Sequence, residues 1–368
     1  MIRSVRHQKR IAILSMIVNV VAAIVLSACE AGQPEIITGN DEVMLTLRLS
    51  LAETGKETQT RAITAGEENS IDIAQLKVLV FKVNGSTETF CYEAPQVKLQ
   101  GSKYMVTLKQ SQAGEKYRLV VIANAGQKLP FLPENGVKND VLKQITFNAT
   151  GAWNAAGSAN YTRFPMWGET ATAQAITPST TLGSITLLRA LARIDVGCAV
   201  SGETAAGISG FTLKSVSVYR TRNKGYVAPV NGGVINNNVV TSVSIPSDAG
   251  NNDALKYTCT DGKSLIRTIY IAEAAQGTNG DNNVCLVIGG TYAGTMNYYR
   301  VDLTSGGSYI PIKRNCRYIV NIKAANNDGY ATEAEALTGN KTLLLATSVS
   351  AEAWGGETVA GSGTITLP

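Results

Sequence analysis

Five apolar residues, Val43, Leu45, Leu47, Leu49 and Leu51, recur at strict period two, and Met44, Thr46, Arg48 and Ser50 take the positions between them. Successive side chains of a strand point to opposite faces, so this spacing predicts a strand with one wholly apolar side. Short apolar runs rich in Val, Ile, Thr and Tyr predict further strands over 76–83, 103–108, 117–124, 184–188, 192–200, 211–220, 264–272, 283–289, 298–303 and 318–324. Only 139–144 and parts of 333–337 read as helical. Near the carboxyl terminus Leu343, Leu345, Thr347, Val349 and Ala351 alternate again, and a last short strand is predicted over 364–367, carrying Ile365 and Leu367. Many short strands at this spacing make the chain all-β and argue for sandwiches.

At 368 residues the chain is long enough for about two domains with separate cores. The Ala-, Thr- and Ser-rich stretch 169–181 contains Pro178 and little periodicity, which places the joint near residue 183. One β-sandwich is therefore expected over 62–183 and a second over 184–368, the latter with a tail from about residue 343.

The amino terminus sets the compartment. Arg3, Arg6, Lys9 and Arg10 precede an apolar run over 11–26, the pattern of an export signal. The run closes on Leu26-Ser27-Ala28-Cys29, which resembles the lipobox of bacterial lipoproteins, in which the cysteine receives a diacylglycerol. Residues 1–28 read as a lipoprotein signal peptide, Cys29 as the lipidation site, and 29–61 as a lipidated propeptide. An uncleaved membrane anchor is the alternative, since the run is close to the roughly 18 residues that cross a bilayer, but Ser15 and Asn19 interrupt it.

Charge and composition then remove several classes of function. The chain carries +5, but four of its bases lie ahead of Cys29, so the lipidated form carries only +1 and nucleic acid is a poor partner. Arg220, Arg222 and Lys224 read as a solvated strand end. The only histidine, His7, lies in the signal segment, which leaves imidazole-dependent hydrolysis and histidine-ligated zinc without a residue. Apart from Cys29, Cys91, Cys198, Cys259, Cys285 and Cys316 show no CxxC spacing, so no metal and no cofactor is expected. The glycine-rich stretches 277–283 and 288–294 lack the spacing of phosphate or calcium loops and read as hairpin turns. No carboxylate pair stands out, and an enzyme would need an unrecognised carboxylate or Ser-Lys site.

The strand 43–51 is followed by a polar stretch, 52–60, and then by Arg61-Ala62, a bond open to a trypsin-like protease. Excision there would remove the strand and leave an apolar groove between two unpaired edges. The tail residues Leu343, Leu345, Thr347, Val349, Ala351, Ile365 and Leu367 could fill such a groove in a neighbouring copy through ladder bonds and alternate side-chain pockets. Repetition of that contact is head-to-tail and gives an open filament. On these residues alone, strand exchange is a capacity and not an event, since any β-sandwich lipoprotein has an amino-terminal strand that pairs in cis and an exposed Arg-Ala bond is common.

The chain resembles the fimbrillin, or type V pilin, family of the Bacteroidetes. The likeness is carried by 26–29, by Thr60-Arg61-Ala62 leading to 73–81, by Phe164-Pro165-Met166-Trp167-Gly168, by 188–196, by 269–273, and by 298–303 through 312–322. The resemblance implies two transthyretin-like Greek-key sandwiches in tandem and export as an outer-membrane lipoprotein. It also implies cleavage after Arg61 by an arginine-specific protease, then polymerisation with other copies and accessory fimbrial subunits at the cell surface. The implied role is adhesion and biofilm formation through host or bacterial receptors. A fimbrial tip or anchor component, and a monomeric glycan-binding surface lipoprotein, are the alternatives. Arg189 and Arg193 are expected to bind interdomain carbonyls, and Trp153, Trp167 and Trp354 to act as packing anchors.

Overall fold

A computed structural model describes residues 41–51, 65–153, 163–230, 234–235, 239–339 and 344–354. From Val43 onward the described residues belong to one compact unit. Its elements are nearly all strands. The first half is built on β1 (Glu42–Leu51), β2 (Lys77–Asn84), β3 (Thr87–Glu93), β4 (Lys98–Gln100), β5 (Lys103–Lys109), β6 (Lys116–Ala123), β7 (Thr146–Asn148), β8 (Met166–Glu169) and β9 (Ser184–Arg189). All but β7 join one eight-stranded sheet in the order β3-β2-β6-β8-β9-β1-β5-β4. The alternating residues Leu45 and Leu47 of β1, Val106 and Leu108 of β5, and Ile185 and Leu187 of β9 enter one buried core with Val78, Val80, Leu119 and Val121. In β2 the run Val78-Leu79-Val80-Phe81 is buried throughout, so both faces of that strand are covered.

The second half comprises β10 (Leu191–Cys198), the short pair β11 (Val200–Ser201) and β12 (Thr204–Ala205), β13 (Phe211–Tyr219), β14 (Lys224–Tyr226), the pair β15 (Val234–Ile235) and β16 (Val239–Val240), β17 (Leu255–Thr258), β18 (Ser264–Ala272), β19 (Cys285–Tyr292), β20 (Thr295–Asp302), the pair β21 (Thr304–Ser305) and β22 (Ser308–Tyr309), β23 (Cys316–Ala325) and β24 (Leu345–Ala353). Two four-stranded sheets, β18-β10-β23-β24 and β17-β13-β19-β20, enclose a second core. Short helices occupy Lys138–Leu142 and Glu333–Thr338, and the second is opened by a capping box between Thr332 and Glu335.

Strand β9 belongs to the first sheet because Ile185 and Leu187 face the first core, so that half extends past residue 183 to Arg189. The two cores also share an element. Along β18, Ile269 and Ile271 enter the second core while Tyr270 and Ala272 enter the first. The strand β14 reaches across to pair with β7 of the first half.

Of the two glycine-rich stretches, the one at 288–294 runs along β19 and turns at Ala293-Gly294, where both residues have positive φ. The glycines of the strand are required by packing, since a Cβ on Gly290 would collide with the Phe211 ring. The stretch 277–283 does not close a hairpin. It carries the chain from β18 in one sheet to β19 in the other, held by Asn283, whose side chain bonds both the N–H and the C=O of Gly277.

Candidate functional site

Strand β1 is internal to its sheet. It lies between β9, with which it runs parallel in the register Arg48↔Ser184 to Leu51↔Leu187, and β5. Its apolar side is fully buried at Val43, Leu45 and Leu47 and partly buried at Leu49 and Leu51, while Met44 on the other side is half exposed. A line of hydroxyls fastens it to β9: Ser50 Oγ is 3.0 Å from Thr186 Oγ1 and 3.2 Å from Ser184 Oγ. Burial of three large aliphatics contributes about 1.5–3 kcal/mol each. Without β1 the sheet would break into β3-β2-β6-β8-β9 and β5-β4, with a strand-wide apolar gap between two bare edges.

The tail takes a different position. Strand β24 is the edge of the second half's own sheet and pairs antiparallel with β23 from Cys316↔Ala353 to Ala325↔Leu345. Leu345, Val349 and Ala353 are buried in the second core, whereas Thr347 and Ala351 are only partly covered. Trp354, just beyond the strand, is fully buried and belongs to the first core. Cys29, Arg61, Ala62, Leu343, Ile365 and Leu367 lie outside the described residues.

A third feature surrounds Arg189 and Arg193. The face of the β18-β10-β23-β24 sheet turned away from the second core carries a row of polar residues in register, with Tyr270, Arg193, Arg317 and Glu352 paired side by side across all four strands. Arg193 forks onto Asp195 (2.8 and 2.6 Å) and also reaches Glu203 and Glu68. Arg317 joins Asp195 at 2.6 Å to Glu352 at 2.9 Å.

Glu68 closes the row from above. Its segment begins with the one-turn helix Ala65–Glu68, and its side chain is completely buried. The carboxylate accepts from the Tyr270 hydroxyl at 2.7 Å, from Arg267 at 2.5 Å and from the Trp354 indole N–H at 3.4 Å. Arg189 donates to the backbone oxygens of Glu68 and Trp354 and to the side chains of Asn69 and Asn315, and its guanidinium lies 4.6 Å from the Trp354 ring. Arg193 thus binds carboxylates, contrary to the carbonyl role expected of it, while Arg189 does take carbonyls.

Burial sets the electrostatics here. Desolvation pushes the Glu68 carboxyl above its ordinary value, although Arg193, Arg267 and Arg189 pull against it. Burial would also raise Asp195, but Arg193 and Arg317 outweigh it and hold that carboxyl low. Arg189, fully buried, is pushed down to about 10. In the sequence the signal lies in Leu191-Ala192-Arg193-Ile194-Asp195-Val196, where charges occupy alternate positions of an apolar run. The remote partner Glu68 carries no such mark.

Among the described residues Cys198, Cys259, Cys285 and Cys316 are buried free thiols and Cys91 is half buried. No helix among them is long and apolar enough to cross a membrane.

Residues 39–337 match the family described as fimbrillin-A associated anchor proteins Mfa1 and Mfa2, a span that begins just ahead of β1 and ends in the helix before β24. No curated protein matches the chain. Among solved structures, the chain is similar to the tip fimbrial protein Mfa3 from Porphyromonas gingivalis with a carboxyl-terminal truncation. That likeness has 14% identity, covers 85% of this chain and 100% of that one, and has a TM-score of 0.47. A fimbrial assembly protein from Parabacteroides distasonis is similar at 16% identity, with 85% and 97% coverage and a TM-score of 0.47.

Proposed function

The chain belongs to the family of fimbrillin-A associated anchor proteins Mfa1 and Mfa2, and from that premise we propose that it is a non-catalytic structural subunit of a bacterial surface fimbria that works by strand exchange. In this reading the protein is exported as an outer-membrane lipoprotein through Cys29. An arginine-specific protease cuts the Arg61–Ala62 bond, β1 leaves, and the gap between β9 and β5 receives a strand from another copy or an accessory subunit. The resulting polymer supports adhesion and biofilm formation through surface receptors. One observation carries the reading: β1 is an internal strand whose apolar side is buried, yet its ladder partners β9 and β5 belong to the remainder of the chain. A strand so placed is replaceable only by another strand, because the edges it would leave demand backbone partners.

A second reading, an anchor that keeps its lipid and its β1, is favoured by the position of β24, which is engaged in its own sheet. The two readings separate when the exported chain without residues 1–28 is treated with a trace of arginine-specific protease and followed by amino-terminal sequencing and electron microscopy. A new terminus at Ala62 with heat-resistant ladders or filaments supports the exchanging subunit. Resistance at Arg61, or clean cleavage with a persistent monomer, supports the anchor.

A further inference from the structure

We propose that Glu68 is a latch: it holds β24 in its home sheet, so that the carboxyl-terminal strand can leave only after residues 65–70 have been displaced. The inference extends the strand-exchange reading, and it rests on that reading only for its biological consequence.

The in-register row across the second sheet supplies the argument. Four buried guanidiniums, Arg189, Arg193, Arg267 and Arg317, stand among four carboxylates, of which Glu68 and Asp195 are fully buried and Glu203 and Glu352 only partly. Two of the four carboxylates, Asp195 and Glu203, belong to the body of the second half. The other two are Glu352, from the edge strand β24, and Glu68, from the segment that follows the Arg61–Ala62 bond. If β24 leaves, Arg317 loses Glu352, and Arg189 loses both the Trp354 ring and its carbonyl. Arg317 would keep Asp195 and the Gly202 carbonyl, and Arg189 would keep the Glu68 carbonyl, Asn69 and Asn315, so departure strips each buried guanidinium of part of its pairing, and that partial loss opposes it.

The two ends also hold each other directly. Trp354 stacks on Tyr270 with 5.7 Å between centroids and an angle of 14°, and the Glu68 carboxylate takes one hydrogen bond from each of these rings. Arg189 repeats the tie through the main chain, since it donates to the carbonyl oxygens of both Glu68 and Trp354. The segment itself is pinned to the first half by Asn124, whose side-chain amide donates to the Ser70 carbonyl at 2.9 Å.

The main-chain ladder to β23 gives β24 its register, but an edge strand can fray from one side. The contacts at Trp354 close the end of β24 nearest the junction of the two cores. A cut after Arg61 would place a new amino terminus at Ala62, close in sequence to Glu68. Excision of β1 would then open the acceptor gap and loosen the latch in one event, which would keep β24 docked in the uncut protein.

Hydrogen exchange on the full chain in detergent tests this, with peptides covering 345–354 compared with peptides covering β10 and β18. Glu68→Gln, and separately Trp354→Phe, which keeps a ring but loses the indole donor, are expected to speed exchange in 345–354 by about tenfold while β10 and β18 stay as protected as in the wild type. Cleavage of the wild type after Arg61 is expected to do the same. Unchanged protection of 345–354 in all three, or a rise that β10 and β18 share, would overturn the latch. If Glu68→Gln fails to fold, the Trp354→Phe variant and the cleaved wild type decide. Release of 345–354 without any polymer on cleavage would uphold the latch and sink the strand-exchange reading.

Discussion

Arg193 and Asp195 stand two residues apart on β10, so both side chains leave the strand on one face, and that face is sealed. Pairing a carboxylate with guanidiniums in a dry site ties stability to its ionisation. Asp195 is held low by Arg193 and Arg317 against burial, and Glu88, partly buried, is held low by Lys138 and Arg118 against its own desolvation. For each, the folded protein binds its proton more weakly than the unfolded chain. Their stabilisation is therefore complete above the ordinary values of 3.8 and 4.5 and is lost as pH falls through the folded values. Glu68 has the opposite sign, because its carboxyl is raised: its contribution weakens as pH rises above 4.5. Thermal melts between about pH 3 and about pH 7 are expected to show a falling melting temperature on the acid side. Glu88→Gln is expected to make that limb shallower while the fold is retained, and an unchanged limb would contradict the assignment.

For the elements, β1 and β24 differ in how they use alternation. Every second residue of β1 points into one core, as its period-two pattern requires, and burial is deepest at Leu47. Leu47→Ala is expected to destabilise the uncut protein by about 2–5 kcal/mol, read as a shift of the urea midpoint at constant slope. If β1 is lost on cleavage, the same substitution is expected to leave the cleaved, assembled form unaffected. That contrast separates a removable strand from a permanent one. In β24 the buried positions fall four apart, at Leu345, Val349 and Ala353, since an edge strand at the border of two cores is covered unevenly along its length.

At the scale of the whole molecule, the described part from Val43 onward has two cores that share β18, with Trp354 carried from the end of β24 into the first core. The segment around Glu68 and the end of β24 therefore meet in one packed cluster with Tyr270. Arg61→Ala is expected to abolish cleavage by an arginine-specific protease and to leave the protein monomeric by size-exclusion chromatography. Polymer formed by that variant would show that excision of β1 is not the trigger.

The sequence by itself determined the all-β class, the strand β1 and its apolar side, and most long strands to within a few residues, because period-two alternation and turn residues are local properties of the chain. It also revealed charges at alternate positions of β10 without revealing what they meet. The tertiary structure alone decided which strands, β9 and β5, flank β1, that the first core continues through β9 to Arg189, and that β24 closes its own sheet. It alone brought Glu68, Arg193, Arg267 and Trp354 together, at sequence separations of more than a hundred residues between Glu68 and its partners. Strand order and ion pairing depend on which distant segments share a surface, and no local pattern of hydrophobic and polar positions encodes that.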